Sequence, residues 1–141
     1  MPQVITVLLI DDNPADLTLA QEAFDDHSDH VTLITCSEGA QAIRLLKDTS
    51  RSLPDVIVLD VNMPVMSGFD VLRTIRADED LRHLPVVMLS TSSSEADIGQ
   101  AYDLIASSYM LKNASFSEFV SQIDQFVKFW TGCQFKRPHR P

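Results

Sequence analysis

Five short apolar runs alternate along this chain with stretches whose apolar residues recur at helical spacing, and this alternation narrows the possible folds more than any other feature. The runs occupy residues 4–10, 31–35, 56–59, 86–89 and 108–111. They are nearly continuous, as strands covered on both faces should be. Between and after them lie five amphipathic stripes. The first three are Leu17, Ala20 and Phe24, then Ala42, Ile43 and Leu46, then Gly68, Val71, Leu72 and Ile75. Ile98, Ala101, Tyr102 and Ile105 form the fourth; Phe116, Phe119, Val120, Ile123, Val127 and Trp130 form the fifth and longest. Asn13-Pro14 has the form of an N-cap followed by proline at the first helical position, and Ser67 is the expected cap of the third helix. Stripes of this kind belong against a sheet. The predicted fold class is therefore α/β: a doubly wound, five-stranded parallel sheet with right-handed crossovers and helices on both faces.

Ligands of such sheets bind beyond the carboxyl ends of the strands, where strand order reverses. The residues that close the runs are accordingly the candidates for chemistry. Asp11 and Asp12 follow the first run, Asp60 the third, Ser90 the fourth and Lys112 the fifth. Three carboxylates brought together repel one another, so a bound cation is their natural counter-charge. Oxygen-only ligands point to Mg2+ or Mn2+ rather than zinc. An aspartate in that setting can attack a phosphoryl donor to form an acyl phosphate. Catalysis is then mostly positioning and charge neutralisation, by metal on one side and lysine on the other. Ser90 could donate a hydrogen bond to the transferred group. Each residue singly has a plainer reading. Asp12 could cap the first helix, any member of the Ser/Thr stretch 90–94 could cap the fourth, and Lys112 alone would be an ordinary solvated lysine. Their joint placement on four strand ends is what singles them out.

A net charge of -9 over 141 residues argues against a general nucleic-acid or anionic-membrane surface, since either needs a basic face. No apolar stretch approaches the roughly 20 residues that span a bilayer. Met1-Pro2-Gln3-Val4 lacks the basic start of a signal peptide, and a cytoplasmic location is expected. Cys36 and Cys133 form neither a disulfide framework nor a metal-ligand spacing, and His27, His30, His83 and His139 show no ligand spacing either.

The segments Leu8-Leu9-Ile10-Asp11-Asp12-Asn13, Pro54-Asp55-Val56-Ile57-Val58-Leu59-Asp60-Val61-Asn62-Met63-Pro64, Ser67-Gly68, Val87-Met88-Leu89-Ser90 and Tyr109-Met110-Leu111-Lys112 form a specific set. Through them the chain resembles the receiver domain of two-component response regulators, from residue 4 to residue 129. That resemblance implies a flavodoxin-like strand order of 2-1-3-4-5, with a receiver domain over residues 1–130 and a short tail over residues 131–141. It implies that Asp60 accepts a phosphoryl group from a histidine kinase, and that the protein otherwise acts on no external substrate. Asp12 and Asp60 would coordinate Mg2+, with Asn62 contributing its backbone carbonyl and Asp11 acting largely through water. Lys112 would pair with the phosphate, Ser90 would be the switch hydroxyl, and Tyr109 the switch aromatic that turns inward as Ser90 shifts. Asn62 and Ser92 occupy positions that tune how long the phosphate survives.

Two departures from the family pattern bear on local shape. Asn113 follows Lys112 where the family has proline in a cis peptide. A cis bond before a non-proline residue costs about 2.5–4 kcal/mol, so the loop there should take another path. Ile105 stands where the family often ends its fourth helix on glycine. A β-branched residue is poor in a left-handed cap, so that helix end should also differ.

Residues 131–141 are too few for an output domain, and a stand-alone receiver is expected. Phe129, Trp130 and Phe135 exceed what one helix face can bury. They suggest a homodimer through the fourth helix, fifth strand and fifth helix, the alternative being a tail that folds back on its own domain. Asp12-Asn13-Pro14-Ala15-Asp16-Leu17, Ala96-Asp97-Ile98 with Ala101-Tyr102, and Phe129-Trp130 are similar to single-domain regulators that partner phytochrome-type histidine kinases. The competing reading is an Mg2+-dependent phosphohydrolase with an aspartyl-phosphate intermediate. Such enzymes carry a second carboxylate two residues after the nucleophile, where this chain has Asn62, whose amide cannot shuttle the proton. A nucleotide-binding module is weaker still, since no Gly-x-Gly-x-x-Gly follows the first run.

Overall fold

The computed structural model describes residues 4–112 and 116–133. Strands and helices alternate: β1 (Ile5–Ile10), α1 (Pro14–Asp25), β2 (Val31–Cys36), α2 (Gly39–Lys47), β3 (Val56–Asp60), α3 (Gly68–Ala77), β4 (Val86–Ser90), α4 (Glu95–Asp103), β5 (Ser108–Leu111) and α5 (Phe116–Thr131). The strands pair in parallel, in the order β2-β1-β3-β4-β5. This is the doubly wound, flavodoxin-like sheet that the sequence predicts. Among the described residues no helix is long and apolar enough to cross a membrane.

The runs are apolar throughout because each strand feeds two cores. Leu8, Ile10, Ile57, Leu59, Val86 and Met88 point to one face, where Ala42 and Leu46 of α2, Val71, Leu72 and Ile75 of α3, and Ala101 of α4 cover them. Ile5, Val7, Leu9, Val56, Val58, Val87 and Leu89 point to the other, under Ala20, Ala23 and Phe24 of α1 and Ile123, Phe126 and Val127 of α5. Phe126 lies outside the sequence-predicted stripe of α5, yet it is buried and meets Phe24 edge-on with ring centroids 6.0 Å apart. Trp130 packs against this same core, while Phe129 is exposed.

The helix starts follow the predicted caps. Asn13 accepts hydrogen bonds at Oδ1 from the N–H groups of Ala15 (2.9 Å) and Asp16 (3.4 Å), ahead of Pro14 at the first helical position. Ser67 and Asp70 form a reciprocal capping box at the start of α3. Of the Ser/Thr stretch before α4, Ser94 is the cap, accepting from Asp97 N–H at 3.1 Å.

α4 departs from expectation. Of its predicted stripe only Ala101 is buried, whereas Tyr102 is 51% and Ile105 73% exposed. For Ile105 the reason is length, since the helix ends at Asp103 and helical spacing no longer governs it, whereas Tyr102 lies within the helix on its solvent side. Ile105 instead has φ 60°. Its N–H donates to the Tyr102 carbonyl at 2.9 Å and the N–H of Ala106 to the Ala101 carbonyl at 3.0 Å. These are the paired bonds of a Schellman motif, whose left-handed position ordinarily takes glycine. The expectation of a different helix end is thus corrected, because the turn survives with a β-branched residue inside it.

Arg76 of α3 offsets the strain. Its guanidinium donates to the carbonyls of Leu104 (3.0 Å), Ile105 (2.8 Å), Arg82 (3.0 Å) and Leu84 (2.9 Å). A left-handed β-branched residue costs on the order of 1–2 kcal/mol, while one hydrogen bond from a charged donor contributes about 1.5–3 kcal/mol. The bonds outweigh the strain. The bond between Lys112 and Asn113, and Phe135, lie outside the described residues.

Two substitutions test these points. A Cβ on Gly68 would collide with the Asp60 carbonyl oxygen and lie 2.8 Å from Val61 Cα, and neither backbone atom can turn aside. Gly68→Ala is expected to destabilise the fold by about 1–3 kcal/mol, read from urea unfolding. Ile105→Gly should stabilise it by roughly 0.5–1 kcal/mol, the relieved strain being partly offset by the freer unfolded chain.

Candidate functional site

The parallel ladder runs one residue past several strand ends, and this sets the position of the polar residues. Asp11 N–H donates to the Cys36 carbonyl (3.0 Å), Val61 N–H to Leu89 (3.0 Å) and Lys112 N–H to Ser90 (2.8 Å). Asp11, Asp60, Ser90 and Lys112 therefore share one edge of the sheet. Capping by Asn13 and Ser94 leaves Asp12 and Ser90 free of the capping role that each could otherwise have taken.

One carboxylate oxygen each from Asp11, Asp12 and Asp60 gathers within 4.8 Å of the others. Asp60 is 3% and Asp11 1% exposed, while Asp12 is half-buried. Asp60 Oδ1 accepts from the Asn62 N–H at 3.2 Å, and Asp11 Oδ1 from the Asn13 N–H at 2.9 Å. Such close acidic oxygens are a fitting donor set for a hard divalent cation, and these three residues would hold it. Nothing in the donor set offers the softer ligands that zinc prefers.

Lys112 answers the same crowding from the other side. Its Nζ stands 2.9 Å from Asp11 Oδ2, 2.8 Å from Asp16 Oδ2 and 3.4 Å from Asp60 Oδ2. Burial works against the ammonium charge, yet hydrogen bonds to Asp16 and Asp11 and the charges of Asp11 and Asp60 outweigh it and hold the lysine pKa above its ordinary value. Burial pushes the Asp60 carboxyl up to about 7 and the Asp11 charge adds to this, while Lys112 and the Asn62 N–H pull it back. The nucleophile candidate is thus held near neutrality by a site built to receive more positive charge.

Ser90 is fully buried. Its Oγ accepts from the Ser92 N–H at 2.9 Å and lies 3.4 Å from Asn62 Nδ2. The Tyr109 hydroxyl donates to the Ser92 carbonyl at 2.8 Å, with the ring partly buried against the core. Ser90 and Tyr109 are therefore linked through the two peptide groups of Ser92. Asn62 itself is exposed at the mouth of the site. Asp16 is the site residue that the sequence reading missed. Its only signal was an acidic residue in the first turn of a helix that starts beside the candidate pocket.

Similarity to known proteins agrees with this geometry. Residues 7–124 match the response regulator receiver domain. The probable methanogenesis regulatory protein FilR2 of Methanothrix harundinacea is 33% identical over 129 residues, covering 89% of this chain and 83% of FilR2. The response regulator Rcp1 of Synechocystis is 32% identical over 133 residues, covering 92% of this chain and 89% of Rcp1. Its Mn2+-bound crystal form superposes with a TM-score of 0.85 at 29% identity, over 96% of this chain and 99% of that one. The phosphorylated cyanobacterial phytochrome response regulator RcpA superposes with a TM-score of 0.87 at 34% identity, over 94% of this chain and 98% of RcpA. With its fold, its strand-end carboxylates and these matches in agreement, the chain belongs to the response regulator receiver domain family.

Proposed function

We propose that this chain is a stand-alone, cytoplasmic response regulator whose Asp60 accepts a phosphoryl group from a histidine kinase in a Mg2+-dependent transfer. The observation that carries the reading is a buried Asp60 carboxylate flanked by two further carboxylates and within reach of the Lys112 ammonium. A carboxylate oxygen of Asp60 attacks the phosphorus of a phosphohistidine, the P–N bond breaks, and the imidazole leaves with its electron pair. Bound Mg2+, held by Asp11, Asp12 and Asp60 with the Asn62 carbonyl, would neutralise charge on the phosphoryl oxygens. Lys112 pairs with the transferred group and Ser90 donates to it. For Ser90 to turn towards the phosphoryl group it must give up the Ser92 N–H, and Ser92 also holds the Tyr109 hydroxyl. The new dianion is thereby read out as a change in Tyr109.

Tyr102, Ile105, Leu111 and Phe129 are exposed apolar residues on or beside α4, β5 and α5. They support signalling through that face, with a second copy of the chain as one partner. The likeness to the phytochrome response regulator RcpA supports a phytochrome-type kinase as donor. A phosphohydrolase is disfavoured because the side chain two residues after Asp60 is the amide of Asn62.

Incubation with acetyl phosphate and Mg2+ should add one phosphoryl group by intact mass. Asp60→Asn or a chelator should abolish the gain, and its absence in the wild-type protein would sink the reading. A second expectation concerns pH. The folded Asp60 pKa of about 7 lies above its unfolded value, so the stability contributed by its protonated form is present at low pH. That contribution is lost as pH rises through 7. In chelator, Asp60→Asn should therefore stabilise the protein more at pH 8 than at pH 5, by more than about 1 kcal/mol. Added Mg2+ should restore wild-type stability at pH 8 and leave the variant much less affected, as urea unfolding would show.

A further inference from the structure

The Lys112 ammonium stands 2.9 Å from Asp11, 2.8 Å from Asp16 and 3.4 Å from Asp60, so it sits nearer to α1 than to the candidate phosphoacceptor. Asp11 and Asp60 belong to the cluster that can take a cation, but Asp16 does not. Charge delivered to that cluster draws Asp11 and Asp60 towards the cation and leaves Asp16 as the remaining partner of Lys112. Asp16 is well placed to keep that hold. It lies in the first turn of α1, where the helix dipole favours a carboxylate. Its backbone N–H is bonded to the Asn13 cap, and its side chain is only 35% exposed.

We propose that Asp16 is a positioning residue that competes with the phosphoryl group for Lys112, holding the ammonium towards α1 and nearer to Asp16 than to Asp60. The inference rests on the reading of Asp60 as phosphoacceptor. In the unphosphorylated protein the 2.8 Å contact holds the ammonium towards α1. When the phosphoryl dianion forms on Asp60, Lys112 turns one donor to a phosphoryl oxygen and releases the Asp16 carboxylate to solvent. Asp16 thus acts through Lys112, lowering occupancy of the phosphorylated state without touching the metal.

The test uses Mg2+ with beryllofluoride, a stable mimic of the phosphoryl group, on the full chain. Its affinity is read by fluorine NMR for wild type, Asp16→Asn and Asp16→Ala, with circular dichroism to confirm folding. The structure of the wild-type complex is solved alongside. Competition predicts that both variants bind beryllofluoride about two- to five-fold more tightly, the size expected of losing a partly exposed ion pair. It also predicts that Lys112 Nζ in the complex lies beyond hydrogen-bonding distance of Asp16. Unchanged or weaker binding by the variants overturns the proposal, as does tighter binding with the Lys112–Asp16 contact retained, which would be a charge effect alone. If wild type binds beryllofluoride and the variants match it, only the role of Asp16 falls. If wild type neither binds it nor gains phosphate, the assignment of Asp60 falls and this inference with it.

Discussion

The parallel backbone ladder is the constraint on which the rest of this molecule depends. Because β1, β3, β4 and β5 run the same way in fixed register, residues far apart in the chain emerge at one edge of the sheet. Hydrogen bonds that continue past the strand ends carry Asp11 and Lys112 with them. Two cores, one on each face, hold that register, since slipping any strand by one residue would exchange the side chains each core receives. The acidic cluster is thus a consequence of the packing of the strands that carry it.

Electrostatics then works against the fold at this edge. Burying Asp60 and setting Asp11 beside it costs free energy that the sheet contacts must carry, and the raised pKa of Asp60 is the local sign of that cost. Lys112 relieves part of it, through three carboxylates rather than one. Such a site is destabilised when no cation is present and is therefore responsive to added positive charge. The strained turn at Ile105 is a separate matter, with its Leu104 and Ile105 carbonyls held by Arg76.

Much of this was legible in the residues. The apolar runs marked all five strands to within a residue or so at their ends, and Asn13-Pro14 and Ser67 marked two helix starts. Asp11, Asp12, Asp60, Ser90 and Lys112 were readable as a set because strand ends in a parallel sheet converge. Other features were not legible. Phe126 escaped the stripe of α5, and of the stripe of α4 only Ala101 is buried, Ile105 lying beyond the helix end. Isoleucine in a left-handed turn contradicts local preference, and Arg76, which bonds the carbonyls of that turn, is distant in sequence. Asp16 looked like an ordinary first-turn acid until the fold set it against Lys112.

The sequence by itself determined the alternation of elements, the sheet class and which polar residues stand at the strand ends. These follow from periodicity and cap chemistry, which act over a few residues. Tertiary structure alone decided which carboxylates share the lysine, how Ser90 is joined to Tyr109 through Ser92, and which apolar residues remain in solvent. Those outcomes depend on distances between segments many residues apart, and such distances exist only once the two cores have closed on the sheet.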